Sequence, residues 1–70
     1  MIKEHDIVAL VRDLPESGLK MGEIGAVVMV HDWSGYEVEF VDSSGKTVAV
    51  LSLAADFVRL ISVNEHAEPL

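Results

Sequence analysis

The chain contains no cysteine, so neither a disulfide staple nor a thiolate metal site is available to it. That composition fits a reducing, cytoplasmic setting and leaves stability to packing alone, or to packing plus a partner. Positive charge is scarce as well. Twelve acids face five bases, for a net charge of −7, and the bases (Lys3, Arg12, Lys20, Lys46, Arg59) are scattered and form no run. Such a field repels phosphate backbones, whose neutralisation by Lys and Arg supplies most nucleic-acid affinity, so nucleic acid is not the expected partner. An acidic surface turned toward a protein partner is one reading of the charge; solubility alone is the other. Long apolar runs are missing too: no stretch approaches the roughly 20 apolar residues of a membrane helix. The opening MIKEHD, with charges at Lys3, Glu4 and Asp6, leaves no apolar region for a secretory signal.

What is present is a chain of 70 residues, half of them apolar (50%), enough for one domain and too apolar for a disordered segment. Its core must be thin, because a chain this short hides only about 60% of its unfolded surface. Turn signals fall at Asp13-Leu14-Pro15-Glu16-Ser17-Gly18, at Asp32-Trp33-Ser34-Gly35 and at Asp42-Ser43-Ser44-Gly45. Between them lie IVALVR, IGAVVMV, YEVEFV and TVAVLSL, runs of strand length rich in valine. Stiff β-branched side chains suit a pleated surface better than a helix, and the close spacing of the runs reads as a sandwich or barrel. Tyr36-Glu37-Val38-Glu39-Phe40 alternates with period 2, placing Tyr36, Val38 and Phe40 on one face and both glutamates on the other.

The first loop, Asp13 to Glu23, is the longest, and its Pro15, Gly18 and Gly22 make it bend back on itself, with Leu14, Leu19 and Met21 expected to tuck inward. The next two connections are short, with Gly35 and Gly45 supplying residues that tolerate positive φ. Ala54-Ala55-Asp56-Phe57 suits a single 3₁₀ turn, and Val58-Arg59-Leu60-Ile61 a brief last strand. Strand, long loop, strand, turn, strand, turn, strand, 3₁₀ turn, strand resembles the SH3-like barrel. The expectation is therefore an all-β, five-stranded SH3-like barrel over residues 1–62, followed by a mobile tail over 63–70.

Four segments together resemble a bacterial family of stand-alone proteins, the domain of unknown function 4926: Asp6-Ile7-Val8; Asp13-Leu14-Pro15 with Gly18-Leu19; Gly22-Glu23-Ile24-Gly25-Ala26-Val27-Val28; and Tyr36-Glu37-Val38-Glu39-Phe40. The likeness covers residues 2 to about 61. No activity comes with the family name. Some of its members sit beside other small proteins in arrangements like toxin–antitoxin pairs, so the resemblance implies binding to a partner encoded nearby, in an antitoxin-like role. Gly22-x-x-Gly25-x-Val27 is also similar to the glycine–valine step of KOW-type barrels, which bind RNA or ribosomal protein and are usually basic. Ala9-Leu10-Val11-Arg12-Asp13-Leu14 is similar to the opening of peptide-binding SH3 domains. Their proline-rich ligands stack on aromatic walls, whereas Val11 and Leu14 stand at the comparable places here. A likeness of fold type alone extends to the barrel of nitrile hydratase β subunits, which leaves open a role as an accessory subunit of an enzyme.

Little in the chain points to catalysis. His5, His31 and His66 lie too far apart in sequence for a common zinc spacing, so no metal or other cofactor is expected. The serines fall mostly in turns, where hydroxyls cap backbone groups, and none sits in a Gly-x-Ser-x-Gly elbow. Glu37 and Glu39 share a strand face, but paired carboxylates need a cleft to do acid–base work, and a small filled barrel offers little of one. No catalytic residue is assigned, and the chain is read as a binding protein and not an enzyme. Trp33 stands out as a large aromatic in a turn, and exposed tryptophan is enriched at binding hot spots; the alternative folds it back over the barrel as a lid. Trp33, Tyr36, Glu37, Glu39, Glu16 and Leu19 make up the expected partner-binding surface, for a protein of basic character. The competing expectation is self-association through valine-rich outer faces.

Overall fold

The structure, a computed structural model, describes residues 2–32 and 34–62. Trp33 and the tail expected over 63–70 lie outside the described residues. The valine-rich runs all become strands: β1 (Ile7–Leu10), β2 (Ile24–His31), β3 (Gly35–Val41), β4 (Thr47–Ala54) and β5 (Val58–Ser62). They form one sheet in the order β4-β3-β2-β1-β5, every neighbouring pair antiparallel. A 3₁₀ turn at Ala55–Phe57 precedes β5, as the sequence leads one to expect, and a second one, Pro15–Ser17, lies inside the long first loop. The fold is all-β.

Register explains where each side chain goes. Ala49, Phe40, Gly25, Val8 and Leu60 stand side by side across the five strands on the inner face. One residue along, Val50, Glu39, Ala26 and Ile7 form the matching outer row across β4 to β1. Strand side chains alternate in direction, so this offset separates core from surface. Val8, Leu10, Leu19, Val27, Val38, Phe40 and Val58 form a single buried cluster. Residues of β1, β3 and β5 share that cluster although these strands do not all pair, so the sheet bends over its own inner face. Register shifts at Ile7/Val8, Val27/Met29 and Phe40/Val41 supply the bend, since an extra residue on one strand kinks it and increases twist. Among the described residues the strand order leaves β4 and β5 at the two ends, and the core is enclosed by curl and by the first loop, without a further ladder.

Gly25 is where the inner face closes most tightly. A β-carbon there would come within 2.6 Å of Val38 Cγ1 and 2.9 Å of Phe40 Cε1. Gly35 has a similar role: it does not use its tolerance of positive φ, and the space for a β-carbon is taken by the Leu53 carbonyl oxygen at 2.7 Å. Among the described residues of that turn the left-handed one is Asp32, at φ 45°, whose carboxylate accepts from the backbone nitrogen and hydroxyl of Ser34, both at 2.8 Å. Gly45 does supply positive φ, as expected. In the first loop Leu19 enters the core and Leu14 is half-buried against it, but Met21 is 65% exposed. Met21 is held from outside, its backbone nitrogen donating to Asp13 Oδ1 at 2.8 Å, so the side chain need not tuck in to fix the loop.

Candidate functional site

The first loop does not lie flat against the sheet. Between its 3₁₀ turn and the second half of β4 runs an open groove of about 340 Å³, lined by Leu14, Pro15, Glu16, Ser17, Leu51, Ser52 and Leu53. Pro15 opens the turn because its fixed φ suits a first helical position and its missing N–H costs nothing there. Gly18 ends it in the left-handed region, donating to the Pro15 carbonyl at 3.1 Å. This short turn presents Glu16 outward at the groove's edge. On the opposite wall, Leu51 and Leu53 belong to the inner face of β4 and pack partly against the core. Among the described residues the groove therefore has apolar walls, one acid and the Ser17 hydroxyl, with Ser52 turning its own hydroxyl to Glu37 on the outer face, and no basic or aromatic side chain.

Beside it, on the outer face, stand the two glutamates of β3. Glu37 accepts from Ser52 Oγ at 3.0 Å and meets His31 Nε2 at 3.2 Å; Glu39 accepts from Thr47 Oγ1. Each carboxylate is thus oriented by a neighbouring strand while remaining open to solvent on one side. Glu37 lies opposite Ser52, and Glu39 opposite Val50, so both sit next to β4. Val48 and Val50 of that strand are each 52% exposed.

The residues expected to form one binding face divide among three places. Glu37 and Glu39 share the outer face, and Glu16 stands at the groove. Tyr36 points to the opposite side of β3 from the glutamates and packs on the core. Leu19 is 3% exposed and belongs to the core itself, because the loop's reversal turns it inward. Trp33 lies outside the described residues. The groove walls Leu14, Pro15, Leu51 and Leu53 were not singled out as a binding surface by sequence reasoning. One signal for them was there: TVAVLSLA holds eight residues without a charge.

Among the described residues no group of three His, Cys, Asp or Glu side chains is placed to hold a metal ion. No described helix is long and apolar enough to cross a membrane. Asp6 is buried, but its carboxylate accepts from the Lys3 backbone nitrogen at 2.8 Å and its carbonyl from Val27 at 2.9 Å, so it ties the N-terminal turn to β2.

The family described as Domain of unknown function (DUF4926) matches residues 4–60. The chain belongs to this family. The match takes in the long loop, all of β1 to β4 and most of β5, so groove and glutamate face both fall within the DUF4926 region. Comparison with curated proteins and comparison with solved structures find no match.

Proposed function

We propose that this DUF4926 protein is a non-catalytic, cytoplasmic interaction module, and that its partner is a protein of basic character held where the first loop faces β4. The observation that carries this reading is the groove: apolar walls from Leu14, Pro15, Leu51 and Leu53 with Glu16 on the rim and no base among the lining residues. Apolar walls with a few placed polar groups favour binding, and an acidic rim favours partners of opposite charge while speeding their encounter. The net charge of −7 acts in the same direction. A partner encoded nearby, in an antitoxin-like arrangement, fits these features and the small size of the chain.

The test is to cross-link and co-purify the full chain from its native cell, identify the retained protein, and reconstitute the pair from purified components. Glu16→Lys is expected to weaken the reconstituted complex by about tenfold, roughly 1.4 kcal/mol, and to flatten its salt dependence. A complex indifferent to both Glu16→Lys and salt overturns the reading. The exposed Val48 and Val50 favour a second reading, self-association through β4. Sizing of the purified chain over a range of concentrations separates the two.

A further inference from the structure

β4 is an unusual edge. End strands are normally blunted by charge, proline or brevity, because their free N–H and C=O groups recruit other strands. At the other end of the sheet, β5 is five residues long and carries Arg59. β4 is eight residues, Thr47–Ala54, with neither charge nor proline. Its backbone alternation can be read from one bond: Ala55 N donates to the Ser34 carbonyl at 3.1 Å. Carried along the register, that bond makes Tyr36–Leu53, Val38–Leu51 and Phe40–Ala49 the hydrogen-bonded pairs. The N–H and C=O groups of Val50 and Ser52 therefore point away from β3, toward the open side.

That open side borders the groove. We infer, resting on the interaction-module reading above, that the partner contributes an extended segment that adds to β4 as a further strand, its apolar side chains alternating with Lys or Arg. Strand addition takes its affinity from main-chain hydrogen bonds and its specificity from alternate side chains. Here one set drops into the groove between Leu14-Pro15 and Leu51-Leu53, where only apolar groups leave nothing unpaired. The other set lies over the outer face. Long basic side chains there rest their stems across Val50 and Ser52 and carry their charges toward Glu39 and Glu37, the residues opposite. A second copy of this chain answers the charge poorly. Its own β4 has no base to offer, and it adds another net charge of −7.

The experiment uses the full chain and a short synthetic peptide alternating valine and arginine, with binding followed by calorimetry and by backbone amide shifts. Two control peptides accompany it: one of the same composition in two blocks, and one alternating but N-methylated along one backbone edge. Binding of the alternating peptide, with amide shifts at Val50 and Ser52 and at least about a tenfold loss for both controls, supports the inference. Val50→Pro is the matching protein variant, since the Val50 N–H takes no part in the β3 ladder and proline is tolerated on edges. It is expected to keep the fold and lose the peptide. If the variant does not fold, the N-methylated peptide alone decides. Equal binding of the block peptide, or no binding of the alternating one, overturns strand addition. So does a dimer of the free chain that Val50→Pro breaks, because the second copy is then the occupant. A reconstituted partner complex sensitive to Glu16→Lys but indifferent to Val50→Pro overturns strand addition while the interaction-module reading stands.

Discussion

Leu14 and Leu19 exchange both backbone hydrogen bonds, at 2.8 and 3.1 Å, and close the tip of the long loop into a ring around the Pro15–Ser17 turn. The two side chains then part: Leu19 goes into the core and Leu14 lines the groove. This ring sets the position of Glu16, and it depends on Gly18, whose φ is 73° with open space around a would-be β-carbon. The cost of a side chain there is therefore one of backbone conformation alone. Gly18→Ala is expected to lower stability by about 1 kcal/mol, and Gly18→Asn by less, in urea unfolding.

Gly25 fails for the opposite reason. Its backbone is unstrained, but Val38, Phe40 and the Glu39 carbonyl occupy the space that a methyl group needs. Gly25→Ala is expected to destabilise by about 1–3 kcal/mol through overpacking. Pairing it with Val38→Ala, which vacates the nearest clash, is expected to give a double variant less destabilised than the sum of the two single ones.

The two faces of the sheet make a sharp contrast at neighbouring register positions. Phe40 is fully buried, and Phe40→Ala is expected to cost about 3–5 kcal/mol, a large part of the stability of so small a domain. Val50, on the outer row, is half exposed, and Val50→Ala is expected to stay within about 0.5 kcal/mol. Thermal unfolding followed by circular dichroism distinguishes these outcomes.

The β3–β4 turn carries a pH signature. The Asp42 carboxylate accepts from the Ser44 hydroxyl at 2.7 Å, the Lys46 backbone nitrogen at 3.0 Å and the Ser44 backbone nitrogen at 2.9 Å. These bonds, the Ser44 hydroxyl foremost, hold its pKa below the ordinary value of 3.8. A folded-state value lower than the unfolded one means stabilisation that is complete above 3.8 and is lost as pH falls through the depressed value. Carboxyl NMR titration is expected to place the Asp42 midpoint below 3.8, and Ser44→Ala to move it back up.

The strands were legible in the sequence because valine density and turn residues act locally, and both survive folding unchanged. Period-2 alternation correctly separated Val38 and Phe40 from Glu37 and Glu39. What sequence could not reveal depends on long-range approach. Gly35 reads as a turn glycine until Leu53 is brought beside it, and Met21 reads as an inward-tucking loop residue until Asp13 holds its backbone from outside. The groove belongs to neither segment alone: its two walls are more than thirty residues apart in the chain and meet only when the sheet curls.

The bare rim of β4 has a consequence for how much of this protein a cell can hold. Under the strand-addition proposal, a partner strand on that rim leaves nothing on it to recruit further chains, and a rim left unoccupied stays open to chance pairing with other strands. On that proposal, safe abundance is a matter of stoichiometry with the partner, and overproduction in isolation is the condition that leaves the most rims bare.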